Sequence, residues 1–146
     1  CWMKLKNGEN KINHLQMIQS VISRMGSNSF AIKGWTAAIM VAVYALIGDT
    51  KNDSNSSAIL ISIIPVIVMW ILDTYYLVLE KKFRKLYDDV RLKNEDDIDF
   101  NMNFDSSEIY LSDLKKYCFV HNMFSISVMP FYVVCLVVTI LIYLWR

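Results

Sequence analysis

An all-α integral membrane fold is predicted by three features of this sequence: two apolar runs long enough to cross a bilayer, a third and shorter one ahead of them, and helical periodicity in the segments between. Of the 146 residues 55% are hydrophobic and 20% charged, whereas a soluble domain averages roughly 45–50% and about 25%. The surplus is concentrated in the runs instead of being spread through a core pattern. The expected architecture is a helical bundle of three transmembrane helices plus cytoplasmic amphipathic helices, assembled as a symmetric oligomer. Oligomerisation is expected because a 17.0 kDa chain with most of its apolar surface in lipid has little room to enclose a site or a path alone.

The N-terminal segment, residues 1–29, reads as cytoplasmic. Cys1 and Trp2 precede Met3, a candidate initiator, and no cleavable signal is expected, since the first long apolar stretch begins near residue 30 without a small-residue cleavage site after it. Residues 10–25 place Ile12, Leu15, Ile18, Ile22 and Met25 at spacings of three and four, an amphipathic helix with Asn10 as N-cap. Gly26-Ser27-Asn28-Ser29 is expected to break it just before the membrane.

Residues 30–79 read as a transmembrane hairpin with spans at about 30–48 and 58–79. Gly34 to Gly48 is only 15 residues, extended upstream through Phe30 if Lys33 snorkels. Asp49 to Ser57 is a polar connection of nine residues. Ala58 to Leu79 is 22 residues with one charge, enough for a core of about 30 Å, and its Pro65 is a possible kink.

Residues 80–124 read as cytoplasmic again. Leu79, Phe83, Leu86 and Val90 continue the helical period, so the second span is expected to run on as one helix of roughly 50 Å. Lys81, Lys82, Arg84 and Lys85 form a basic collar where it leaves the membrane. Between Glu95 and Asp113 there are seven acids and no base. There Ile98, Phe100, Met102 and Phe104 alternate with polar residues, a short strand or an extended segment laid on a partner. Asp96, Asp97, Asp99 and Phe100 are the candidate partner contacts. The segment lacks the glycine and distal glutamate of a calcium loop. Asp105 and Glu108 make a capping box for a helix running from Ser106 to His121. Residues 125–146 hold the cleanest span, Ser125 to Trp145, 21 uncharged residues with Pro130 near a bend.

Charge sets orientation. Lys4, Lys6, Lys11, Arg24 and Lys33 precede the first span, a second basic group follows the second, and the hairpin loop holds Lys51 alone. The positive-inside rule places the N-terminus and the middle of the chain in the cytoplasm and Arg146 outside.

The net charge of +1 offers no basic field for nucleic acid. Three cysteines without paired spacing give neither a disulfide framework nor a zinc site. His14 and His121 have no ligand-spaced neighbours beyond Cys118, and both read as ordinary surface or core histidines. No nucleophile, phosphate-loop or paired-carboxylate motif is present. The chain is therefore expected to be no enzyme, with no metal and no cofactor. Asp73 stands out: an ionisable group about 9 Å inside the second span costs on the order of 2.5–3.5 kcal/mol unless partnered, and in an antiparallel hairpin the natural partner is Lys33. With Glu80, Arg84, Asn28 and Arg24, these two residues would lie at one depth, as an inter-subunit network or a pore mouth requires.

Two stretches, NHLQMIQSVISRMGSNSFAIKGW from Asn13 to Trp35 and WILDTYYLVLEKKFRKLY from Trp70 to Tyr87, resemble a family of small, poorly characterised bacterial multi-span inner-membrane proteins. The resemblance covers the first hairpin and its flanks. In layout such proteins are similar to membrane effectors of bacterial antiphage defence, which oligomerise and damage or depolarise the membrane when a soluble partner or nucleotide signal activates them. The resemblance thus implies a homo-oligomeric, pore-forming or membrane-perturbing effector in the bacterial inner membrane. The alternative is a non-conducting membrane anchor that recruits a soluble cytoplasmic partner through its helices and acidic segment.

Overall fold

The computed structural model describes residues 2–48, 62–98, 100–102 and 118–145. Among them the fold is all-helical. Helix α1 spans Trp2–Gly48, α2 Ile63–Leu92, α3 Phe119–Met123 and α4 Met129–Trp145, with one turn of 3₁₀ helix at Glu95–Asp97.

The interruption expected at Gly26–Ser29 does not occur, because α1 is one helix of 47 residues, about 70 Å long. Its continuity comes from packing on α2, which outweighs the low helix propensity of the Gly-Ser-Asn-Ser segment. A Cβ at Gly26 would meet only the Glu80 carboxylate, at 4.0 Å, and Ser29 donates to Asp73. Asn10 is therefore interior to the helix and caps nothing. The boundary expected near residue 30, between a cytoplasmic helix and a first span, is not marked by any change of backbone.

Helix α1 pairs antiparallel with α2 and the short segment that follows it over about 48 Å. Gly8 faces Glu95, with a Cβ there 3.6 Å from its carboxylate. The Lys11 ammonium donates to the Lys93 carbonyl at 2.7 Å. Further along, Lys33 meets Asp73 at 2.6 Å, and Met40 and Val66 share one core cluster. From Gly8 to Met40 the chain advances 32 residues while from Glu95 to Val66 it runs back 29, so the two sides stay antiparallel in nearly constant register. The buried or half-buried stripe of α1 is His14, Ile18, Ile22, Met25, Ser29, Ile32, Thr36 and Met40, at the three-and-four spacing that keeps one helix face on its partner. It differs from the expected stripe at the start, where Ile12 is 55% exposed and His14 takes the inner position.

Helix α2 runs unbroken through the expected membrane exit at Leu79, as the periodicity predicted. Pro65 lies in its first turn, where no intrahelical donor is required, so it needs no kink. Past Lys93 the chain crosses back onto α1. Phe100, in the left-handed region at φ 52°, sets its ring 5.3 Å from that of His14. No strand forms among the described residues of this segment. The capping box at Asp105 and Glu108 lies outside the described residues. The helix expected to reach His121 is not continuous, since Cys118 is extended at φ −66°, ψ 124°. Helix α3 is a single short segment packed along the middle of α2, where the Trp70 indole donates to the Met123 carbonyl at 3.0 Å.

Helix α4 is shorter than the expected 21-residue span. Ser125–Val128 turn instead, with the Val128 and Met129 amides both donating to the Ser125 carbonyl, and 17 helical residues follow. Tyr132 stacks on Trp70 with centroids 5.8 Å apart and planes 9° from parallel. The Tyr44 and Thr139 hydroxyls meet at 2.5 Å. These two contacts run α4 parallel to α1 and antiparallel to α2, around a core of Met40, Val66, Val128, Tyr132 and Cys135.

His14 is fully buried and both of its ring nitrogens lack hydrogen-bond partners among the described residues, a cost of about 1–3 kcal/mol for an unsatisfied buried polar group. Replacing it by leucine, which keeps the contact with Phe100, is expected to raise stability by on the order of 1 kcal/mol, read as a higher unfolding temperature in detergent. A lower one would mean that the imidazole is satisfied by its surroundings. His121 is exposed.

Candidate functional site: a buried ion pair and the collar beyond it

Asp73 is fully buried between α1 and α2, a placement that a lone carboxylate would not tolerate in an apolar setting. The partner expected from the antiparallel hairpin is there: the Lys33 ammonium lies 2.6 Å from Asp73 Oδ2, with the Lys33 side chain 21% exposed. Lys33 also donates to Ser29 Oγ at 3.0 Å, and Ser29 Oγ donates to Asp73 Oδ1. One turn of α1 therefore supplies both a charge and a hydroxyl to the same carboxylate. Ser29 and Lys33 are four residues apart, so they share a helix face.

Around the pair the seam stays polar. Thr36 and Thr74 are buried and donate back to the Ile32 and Trp70 carbonyls at 2.7 and 2.8 Å, the usual way a hydroxyl is satisfied inside a helix bundle. The buried Tyr132 hydroxyl donates to the Met69 carbonyl at 3.1 Å, with the Thr36 and Asp73 side chains beside it. Ser29, Thr36 and Tyr132 carry no charge and no motif. Their one signal in the sequence is helical spacing from Lys33 or from another hydroxyl.

Of the other residues proposed for this network, Glu80 and Arg84 pair with each other, Arg84 donating from Nε at 2.9 Å and from Nη2 at 2.7 Å to Glu80 Oε1. They sit about 10 Å (Glu80) and about 16 Å (Arg84) along α2 from Asp73 and form a separate pair. Arg24 is exposed and Asn28 half-buried, and neither takes part in the contacts that Ser29 and Lys33 make around Asp73. The expected single network is thus two local clusters on one seam. The collar residues Lys81, Lys82 and Lys85 are half-buried around α2. Lys81 donates to Asn122, which in turn donates to the Cys118 carbonyl at 2.8 Å, tying α3 to the collar. Lys85 pairs with Asp89 at 2.6 Å. In the acidic segment Asp97 and Phe100 are exposed, whereas Asp99 and the Asp96 side chain lie outside the described residues. Among the described residues no group of three or more His, Cys, Asp or Glu could hold a metal ion.

The outward faces are apolar. The apolar windows of α1 and α2 are long enough to cross a membrane, yet only 17% and 22% buried within the protein, unlike the core helices of a soluble fold. On α1 this outer face carries Ser27, Ala31, Gly34, Ala38, Ala42 and Ala45, all exposed and spaced by three or four. A Cβ built at Gly34 meets nothing within 4 Å.

The class these features define is a helical hairpin with a third helix packed against it, held by a buried ion pair, with two helices long and apolar enough to span a membrane. No family model, curated protein or solved structure matches the chain.

Proposed function

We propose that the protein is a homo-oligomeric effector of the bacterial inner membrane that opens or perturbs the bilayer, with α1, α2 and α4 crossing it. The N-terminus and the continuation of α2 beyond Leu79 lie in the cytoplasm and the end of α4 outside. Support for the membrane comes from the outward apolar windows, because patches of this size on a soluble monomer would drive aggregation. The parallel run of α4 and α1 supports an odd number of crossings, in keeping with basic flanks on the cytoplasmic side. Helix α4, at about 26 Å, is shorter than a typical core of about 30 Å and would be matched by local thinning of the bilayer.

The observation that carries oligomerisation is the small-residue face of α1. An exposed glycine in mid-helix costs about 1 kcal/mol relative to alanine and gains nothing within this chain, whereas small residues at this spacing let a second helix approach closely in lipid. The interior of one chain is filled by Met40, Val66 and Tyr132, so a water-filled path would have to form between copies.

Reconstitution into liposomes loaded with a self-quenching dye and potassium tests the reading. Protein-dependent release of either is expected. Vesicles that stay tight at protein-to-lipid ratios giving several chains per vesicle would overturn it. They would favour an anchor that recruits a soluble partner through the segment after α2, a reading supported by the exposure of Glu95, Asp97 and Phe100; deleting residues 95–103 would then abolish partner capture.

A further inference from the structure

Just beyond the apolar window of α2 a groove of about 570 Å³ opens between α1 and α2. Lys81, Arg84 and Lys85 line it from α2, and positions i, i+3 and i+4 put all three cations on one helix face. In an antiparallel helix pair such a face is ordinarily met by acids across the seam. Here α1 has no carboxylate after Glu9, and it lines the groove with Gln19, Ser23 and Gly26. These are neutral hydrogen-bonding groups and one bare backbone position.

The carboxylates on the groove's own side are already engaged. Glu80 takes both Arg84 donors on a single oxygen, and Asp88 lies 3.7 Å from Arg91. Lys81 donates to an uncharged amide oxygen, that of Asn122. Lys85 is held by Asp89 at 2.6 Å, so Lys81 is the groove cation whose partner is neutral, and the amide and hydroxyl groups of α1 lie across the groove from it. Lys81 comes two residues after Leu79, about 3 Å along the helix, which is the depth of the headgroups if α2 spans the bilayer.

We propose that this groove binds a phosphate group, carried either by the headgroup of an anionic phospholipid or by a soluble phosphate ester. The cations supply charge-assisted hydrogen bonds to the phosphoryl oxygens, and the Ser23 hydroxyl and Gln19 amide donate to the remaining acceptors. Neither an oligomer nor leakage is required for this site.

The test is thermal unfolding of the full chain in a non-ionic detergent, titrated separately with dioctanoyl phosphatidylglycerol, dioctanoyl phosphatidylcholine and glycerol phosphate. Phosphatidylglycerol is expected to raise the unfolding temperature, with an apparent affinity roughly tenfold or more weaker in the double variant Lys81→Gln/Lys85→Gln and weakened by salt. Lys11→Gln, on α1 but outside the groove, is expected to bind as the wild type does. A shift with phosphatidylglycerol alone assigns a lipid ligand, and an equal shift with glycerol phosphate assigns a soluble one. No shift with either anion, or one that survives the double substitution, would overturn the proposal. If the double variant does not fold, loss of the wild-type shift at high salt, with phosphatidylcholine inert throughout, carries the same decision.

Discussion

Replacing Lys33 by methionine is expected to destabilise the protein by about 3–5 kcal/mol, the cost of leaving a buried charge without its partner. Asp73 has no exposed surface, so water cannot substitute for the ammonium, and neutral donors such as Ser29 do not neutralise the charge. The double variant Lys33→Met/Asp73→Leu removes the demand together with the supply. Its stability is expected to return to the wild-type value or exceed it, since well-packed apolar residues often replace a buried pair at no loss. Unfolding of the two single variants and the double variant in one detergent closes the cycle. Additive effects would show that the two side chains do not depend on each other. A strong coupling would make the pair a register pin for α1 and α2, because sliding either helix by one turn separates the charges by about 5.4 Å.

Substituting Gly34 by leucine is expected to split the two properties that most substitutions confound. Within one chain the position faces open space, and loss of a mid-helix glycine favours the helix by about 1 kcal/mol. The monomer should therefore unfold at the same temperature or a higher one. Between chains, a leucine on the small-residue face blocks close approach of a neighbouring α1. Dye release at equal incorporation is expected to fall at least tenfold. Unchanged release would mean that α1 meets no other copy through this face.

The continuous α2, the antiparallel hairpin and the Lys33–Asp73 contact were legible in the sequence for one reason: periodicity and charge act locally or across a single short connection. What was not legible depended on packing. Gly26-Ser27-Asn28-Ser29 carries every local signal of a helix end, yet the stripe from Ile22 to Thr36 keeps the helix intact against α2. His14 took an inner position over Ile12 because the register set further along α1 dictates which side faces α2. The turn at Ser125–Val128 shortened α4 within a run whose hydrophobicity alone carries no helix start. At the site, the charged members could be chosen from composition, whereas Ser29, Thr36 and Tyr132 join only once three helices meet. Arg84 and Glu80 were grouped with Asp73 by depth, but they satisfy each other within one turn of α2 and leave the pair at Asp73 separate.

The number of chains in the assembly tests the central claim most directly. Light scattering coupled to size exclusion, with the detergent contribution subtracted, gives the protein mass of the complex extracted in a mild detergent. A single defined multiple of the 17.0 kDa chain, large enough to surround a path, is the expected result, with Gly34→Leu shifting it to one chain. A wild-type protein that elutes as one chain at every concentration, in nanodiscs as well as in detergent, would contradict the effector reading, because a lone three-helix bundle filled by its own side chains has no path to open.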